Sequence, residues 1–486
     1  MIKIAFIASE AAPFAKTGGL ADVAGSLPKA LQSKSFNVDV YLPLHSRISD
    51  AFRSEMKFQG ATSVSMGWRT QYVGVYHLIH EGVDHYFIDN EFYFKRHTLY
   101  GEGDDAERYV FFSKAVLAAM KFMDRKPDII HTNDWHTAAV NVLINEYRKH
   151  DIFYADIKTV FTIHNLRYQG IFDPYTLGDL LDLPKDYFNE DQLKFYNSIN
   201  LLKGGIVFSD HVTTVSKSYA EEIKYPYFGE NLDGIIRKYD FKLTGIVNGI
   251  DYETYSPSKD INIPINFDLR SIGRKKEIKM HLQIKFGLPV DPEIPMLAIV
   301  SRLVDMKGMD LVEHILDELL LENVQLVVLG TGESRYEDLF KTYQYRYPDK
   351  VAARIYFDQY ESHSIYAGAD IFLMPSLFEP CGLSQLIALR YGTIPIVRQI
   401  GGLKDTVIPF NKYTGEGNGF GFLNYNAHEL LFTVKEALST YENEENWKML
   451  MRHAMKADNS WTASSKEYMA IYMKLMGQEL YEDPNM

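Results

Sequence analysis

Arg302 and Lys307, in the stretch VSRLVDMKGMD, are two cations placed between an apolar run and a helix expected to begin near Gly308. Cations beside the exposed N–H groups of a helix start suit a diphosphate, because dipole and side chains attract the same negative charge. The ordinary alternative is surface pairing with Asp305 and Asp310, which contributes little at an exposed position. Glu379, in PSLFEPCGLSQLIALRYGTIPIV, also follows an apolar run, and Pro380 and Gly382 fix a tight turn into the next helix. A carboxylate there can simply stabilise the dipole of the first helical turn, the ordinary account of an isolated glutamate. Cys381 beside it reads as a small buried thiol rather than a nucleophile. Gly401 and Gly402, in GGLKDTV, stand where backbone N–H groups could face a ligand. Gly330 and Gly332, in VLGTGESRYED, stand in a similar place, though a plain strand-to-helix turn is the simpler account of that pair.

The first half offers PFAKTGGLADVAG, a Gly pair between an apolar run and a helical pattern. In a P-loop the lysine follows the last glycine, whereas here Lys16 precedes Gly18 and Gly19, and the spaced glycines of a dinucleotide fingerprint are missing. HTNDWH and TIHNLRYQG add His131, Asp134, His136 and His164, all expected just after strands. A metal set drawn from them is disfavoured, because its ligands would come from two loops without tight spacing on one helix. Asp134 and His164 are expected to hydrogen-bond sugar hydroxyls or to support each other.

These positions need strands to present them. IKIAFIAS, NVDVYLP, PDIIHTND, KTVFTIHN and DHVTTVS read as short buried strands in the first half. PMLAIVSRL, VQLVVLG, RIYFDQ, DIFLMPS and TIPIVRQ form a second series after a polar, basic segment around SIGRKKEIKMHLQIKFGLP. Strands alternating with helices predict α/β architecture, two doubly wound parallel sheets whose ligand sites lie at the carboxyl ends of the strands. The expected domains are 1–244 and 245–461, with a C-terminal helix at about 462–486, including SKEYMAIYMKLM, able to pack back on the first. The chain's 486 residues, 46% of them hydrophobic, suffice for two or three cores. A net charge of −13 argues against a nucleic-acid partner. No apolar run is long enough for a membrane span, and the first one is short and followed by Glu10, unlike a secretory leader. The single cysteine permits no internal disulfide and fits a cytoplasmic protein.

KTGGLADV, HTNDWH, TIHN, SRLVDMKG and FEPCGLSQL, in that order and with GGLKDTV behind, resemble the bacterial glycogen synthase and plant starch synthase family from Ile2 to about residue 475. The resemblance implies the GT-B architecture, two Rossmann-like domains facing across a cleft. It implies a retaining glucosyltransferase that passes glucose from ADP-glucose to the non-reducing end of an α-1,4-glucan such as glycogen or a maltooligosaccharide, with no metal and no cofactor. On that basis the first domain takes the acceptor glucan and the second the nucleotide sugar. Arg302 and Lys307 would grip the diphosphate. His164 and Asp134 would contact the transferred glucose, the His164 carbonyl facing the anomeric carbon. Glu379 would bind glucose hydroxyls and offset oxocarbenium charge, with Cys381, Gly382 and Leu383 placing backbone N–H groups on the same sugar. The leaving phosphate would take the acceptor's proton. Gly330 and Gly402 join the substrate-binding set, and Lys16 with Gly18 and Gly19 would form a lid edge that meets the donor on closure.

Three positions depart from the family pattern. Phe357 stands where many members have a tyrosine near the adenine, Ile387 where a second acid is common, and Ser384 where threonine is common. A nucleotide-sugar epimerase and a non-catalytic glucan-binding protein are the competing functions. A dinucleotide oxidoreductase is disfavoured by the missing glycine fingerprint.

Overall fold

Alternating apolar strands and helices build two units in the computed structural model, which describes residues 1–478. Unit 1 comprises Met1–Ile246 and the segment from Trp461 on; unit 2 comprises Val247–Ser460. The part of the expected C-terminal helix beyond residue 478 lies outside the described residues.

Unit 1 contains β1 (Ile2–Ile7), β2 (Phe36–Pro43), β3 (Lys57–Met66), β4 (Arg69–His80), β5 (Val83–Asp89), β6 (Ile129–Asn133) and β7 (Lys158–Ile163). A small antiparallel sheet follows, with β8 (Ile171–Phe172), β9 (Lys194–Phe195) and β10 (Ser198–Asn200), and then β11 (His211–Thr214) and β12 (Leu243–Gly245). The main sheet runs β12-β11-β7-β6-β1-β2-β5-β4-β3. From β1 the chain builds outward on one side through β2, and from β6 on the other through β7, so the strand order reverses between β1 and β6. The β1–β2, β2–β5, β1–β6 and β6–β7 pairs are parallel, as are the pairs joining β11 to β7 and to β12.

The expectation of a purely parallel sheet is corrected at one edge, where β3, β4 and β5 pair antiparallel. The turn between β4 and β5 explains how. Glu81 and Gly82 both have positive φ, 48° and 78°, as a two-residue hairpin turn matching the strand twist requires. β3 is largely exposed, alternating towards its end, so it shows none of the continuous apolar run of a central strand. The helix Trp461–Leu475 packs its Trp461, Tyr468, Ile471 and Tyr472 into the unit 1 core with Val23, Leu27 and Phe36.

Unit 2 contains β13 (Met296–Val300), β14 (Gln325–Leu329), β15 (Val351–Arg354), β16 (Ile371–Met374), β17 (Ile394–Arg398) and β18 (Phe420–Phe422), all parallel, in the order β15-β14-β13-β16-β17-β18. Its strand order reverses between β13 and β16. The strand expected through RIYFDQ stops at Arg354, because Asp358 instead caps the helix Gln359–Gly368, its side chain accepting the Glu361 N–H at 2.9 Å. The basic segment forms the helix Lys275–Phe286, and two of its lysines are buried. Lys279 reaches Asp370 at 2.7 Å, while Lys275 donates to the Ala367 carbonyl and the Thr393 hydroxyl. No helix among the described residues is long and apolar enough to cross a membrane.

Candidate active site

In unit 2 the loops after β13 and β16 meet where the strand order reverses. Gly308 adopts φ 76°, and a Cβ there would stand 2.1 Å from the Pro375 carbonyl oxygen, so only glycine lets the two loops approach this closely. The Leu377 N–H donates to the Met306 carbonyl at 3.1 Å and ties them further. That contact brings Lys307 Nζ to 2.5 Å from Glu379 Oε2. The Glu379 carboxylate is buried and also accepts from the Ser376 hydroxyl at 3.3 Å. Arg302 is exposed, and its guanidinium has no ion-pair or hydrogen-bond partner among the described residues. The surface pairing that could have explained Arg302 away is therefore absent there, leaving one uncommitted cation in the same loop after β13 as Lys307. Asp305 and Asp310 instead accept from the hydroxyls of Tyr336 and Tyr425.

Cys381 is buried, and burial pushes its thiol up to about 12. It stays protonated near neutrality and is unsuited to nucleophilic attack. The Gly382 and Leu383 N–H groups have no acceptor among the described residues. Phe357 is exposed in the loop after β15.

Gly402, expected where N–H groups could face a ligand, and Gly330 both have their N–H groups engaged within the chain. The Gly402 N–H donates to the Pro380 carbonyl at 3.0 Å, and a Cβ on Gly402 would lie 2.2 Å from the Cys381 carbonyl oxygen. The Gly330 N–H donates to the Arg354 carbonyl at 3.1 Å, and its Cβ would lie 1.9 Å from the Ser301 carbonyl oxygen. These glycines serve close backbone packing, and their N–H groups are spent within the chain.

In unit 1 the register sets Ile7 of β1 beside Thr132 of β6, and Asn133 beside Thr162 of β7. The residues that follow these strands must therefore gather. Asn133 bridges them, donating to the Ile7 carbonyl at 3.0 Å and lying 2.9 Å from His164 Nε2. Asp134 has φ 55°, a conformation a non-glycine residue holds only under constraint. The constraint is visible: its own N–H donates to the Thr162 carbonyl, while Oδ1 accepts the His164 N–H at 2.8 Å and the Asn165 N–H at 3.4 Å. Burial nevertheless raises the Asp134 carboxyl to about 7, with a smaller push from Glu10. Burial also drops His164 to about 3, so its ring is neutral.

Lys16 pairs with Asp22 at 2.6 Å on an exposed edge. Sequence reasoning missed Glu10 as a member of this group. Its buried carboxylate accepts the Thr17 N–H at 2.6 Å and the Thr17 hydroxyl at 2.7 Å, fixing the residue between Lys16 and Gly18. The Gly18 N–H also acts on that carboxylate, and a Cβ on Gly18 would make only ordinary contact with it. The available signal was a carboxylate directly after a strand's carboxyl end. His131, weighed as a ligand, has both ring nitrogens engaged, by the Tyr472 hydroxyl at 2.7 Å and by Thr162 Oγ1 at 2.6 Å. Among the described residues no three His, Cys, Asp or Glu side chains converge as a metal-binding group.

Comparison with known proteins gives a consistent result. Residues 3–238 match the starch synthase catalytic domain family, and residues 282–452 match glycosyl transferases group 1. The chain is 51% identical over 476 residues to the glycogen synthase of Finegoldia magna, covering 98% of this chain and 100% of that protein. It is 50% identical over 475 residues to the glycogen synthase of Clostridioides difficile, covering 97% and 99%. The catalytic domain of starch synthase IV from Arabidopsis thaliana, solved with ADP and acarbose, superposes with a TM-score of 0.91 at 32% identity, over 98% of this chain and 100% of that one. Sucrose-phosphate synthase from Thermosynechococcus elongatus superposes at 0.62 with 16% identity, over 98% and 100%, a likeness of fold.

Proposed function

The chain belongs to the glycogen and starch synthase family of glycosyltransferases, and on that premise we propose which substrates it takes and which residues serve them. It transfers glucose from a nucleotide sugar to a glucan. The donor in this proposal is ADP-glucose and the acceptor the non-reducing end of an α-1,4-glucan, with the anomeric configuration retained. The starch synthase IV neighbour, with its ADP and acarbose, supports both assignments. The reaction is placed in the cytoplasm, which the single, buried cysteine suits.

The observation that carries the assignment of residues is the 2.5 Å contact between Lys307 and Glu379, with the uncommitted Arg302 in the loop that also carries Lys307. As the glucosyl–phosphate bond breaks, negative charge grows on the departing diphosphate and positive charge on the sugar ring. Arg302 and Lys307 answer the first and Glu379 the second, all held in place before reaction so that little reorganisation is needed. Glu379 also places Lys307, since pairing with a buried carboxylate restricts an otherwise mobile side chain. In unit 1 the neutral His164 and the Asp134 carboxyl are suited to uncharged sugar hydroxyls rather than to phosphate. Lys16 is assigned to the donor side, its pairing with Asp22 exposed enough to be exchanged for a ligand.

The test is to incubate the enzyme with ADP-glucose and maltooligosaccharide and to follow ADP release and chain length together. Extension by glucose units with stoichiometric ADP is expected, and a lower specificity constant with UDP-glucose. ADP release without extension, or no release at all, would overturn the proposal, and comparable constants for the two donors would overturn its choice of base.

A further inference from the structure

Gln385 is fully buried in the first turn of the helix Ser384–Arg390, with no place in the charge chemistry above, yet its carboxamide is held by directed contacts. Its Nε2 donates to the Cys381 carbonyl and to the Gly382 carbonyl, each at 3.0 Å, and lies 3.3 Å from Thr406 Oγ1. Thr406 in turn donates to the Gly402 carbonyl at 2.7 Å. The other half of the carboxamide, Oε1, is buried without a partner. It lies over Gly382, where a Cβ would come within 2.4 Å of it. A group buried with an unsatisfied acceptor is retained against a cost, and the feature that compensates is the fork of donors on the opposite atom.

That fork has a geometric consequence. A peptide unit is planar and trans, so the carbonyl of one residue and the N–H of the next point in opposite directions. Drawing the Cys381 and Gly382 carbonyls inward to Nε2 therefore turns the Gly382 and Leu383 N–H groups the other way. These are the two amides left without an acceptor among the described residues. Gly382 can take part because its φ of 76° and missing side chain admit both the turn and the amide above it.

We propose that Gln385 is a positioning residue for glucosyl transfer, aiming the Gly382 and Leu383 N–H groups at the donor sugar by holding the two preceding carbonyls behind the turn. The inference rests on the transferase reading. It separates Gln385 from Arg302, which acts on the diphosphate: loss of Gln385 disturbs the sugar's placement and leaves the nucleotide's intact. Only a carboxamide of this length supplies the fork. Methionine fills the space without donors, and glutamate sets acceptors against two carbonyls.

The test compares wild type, Gln385→Met and Gln385→Glu in steady-state transfer from ADP-glucose and in calorimetric binding of ADP. For Gln385→Met, kcat is expected to fall about 10- to 10²-fold, as for a small misplacement of reacting groups. The ADP Kd is expected to stay within a factor of about three, well under one tenfold step in affinity. Gln385→Glu should lose more turnover than Gln385→Met. A Gln385→Met enzyme with near wild-type kcat, or one whose ADP affinity falls in step with kcat, overturns the proposal. A second measurement needs no variant: hydrogen exchange in wild type across residues 378–386 should slow at Gly382 and Leu383 with ADP-glucose and not with ADP. Equal exchange under both ligands overturns it even if the variants fail to fold. Wild type that transfers no glucose brings down the transferase reading and this inference together, whereas an active wild type with an equally active Gln385→Met brings down this inference alone.

Discussion

Unit 1 and unit 2 each gather their candidate groups where the strand order reverses, between β1 and β6 in one and between β13 and β16 in the other. The position is shared and the electrostatics are opposite. Unit 2 has a Lys–Glu pair and, in the loop that carries the lysine, an exposed arginine. Unit 1 buries its carboxylates until Asp134 sits near 7 and keeps His164 neutral. One topology thus makes a charged cradle or a neutral one according to how much water and how many cations its loops admit. On the reading proposed above, the first would meet a diphosphate and the second a sugar.

The largest effects are expected in unit 2. Glu379→Gln removes the carboxylate and releases Lys307, so turnover is expected to fall about 10²- to 10³-fold, in line with losing a preorganised electrostatic group. ADP affinity should hold or improve, because Lys307 is freed for the phosphates. Parallel losses in kcat and ADP binding would place Glu379 on the nucleotide instead. Arg302→Ala is expected to cost about 10²-fold in kcat/KM, but with weaker ADP binding and a shallower dependence of that binding on salt. Near-normal turnover in this variant would remove Arg302 from the site.

In unit 1 the buried carboxyl makes stability depend on pH. Folding raises the Asp134 carboxyl to about 7, against about 4 in an unfolded chain. Between those values the folded protein holds a proton that the unfolded chain has released, so stability falls as pH rises through this window. The contribution is fully present below about pH 4 and lost as pH rises through about 7. Asp134→Asn cannot ionise. It is expected to melt above wild type at about pH 8, by at most about 4 kcal/mol, with the gap closing towards about pH 5. Calorimetric melting of both proteins at the two pH values checks this, and a gap independent of pH would show that Asp134 ionises normally.

The central strands of both sheets are legible in the sequence because they are buried on both faces over continuous apolar runs, as in IAFI and MLAIV. Their carboxyl ends locate Asp134, His164, Arg302, Lys307 and Glu379 without further information. The β3–β5 edge was not legible by that criterion, since its strands are partly exposed and only the Glu81–Gly82 turn marks the hairpin. In the sequence Glu10 is only a charge after an apolar run, because its burial depends on Thr17 folding back over it. Gly330 and Gly402 show the deeper limit. A glycine that offers its N–H to a ligand and one that lets two backbones touch look the same in sequence, and only the tertiary contact distinguishes them.

The smallest effect is expected at Cys381, which lies in the middle of the unit 2 site. A nucleophilic cysteine needs a thiolate, and such residues have pKa values lowered to roughly 3.5–7.5 by nearby cations or helix starts. Burial does the reverse here, raising the thiol to about 12, with Glu379 and Asp405 pushing the same way. What the residue contributes lies in its main chain, whose carbonyl accepts from Gln385 and packs against Gly402. Cys381→Ser keeps that main chain and most of the volume, so turnover is expected to stay within about tenfold of wild type, a change of about 1.4 kcal/mol or less. Gly402→Ala should do more harm although it alters no reactive group, because its Cβ must displace the Cys381 carbonyl from 2.2 Å. Initial rates and iodoacetamide labelling of the native enzyme check both points. A folded, inactive Cys381→Ser, or rapid alkylation near neutral pH, would make the side chain rather than the backbone the working part and give unit 2 a chemistry beyond charge.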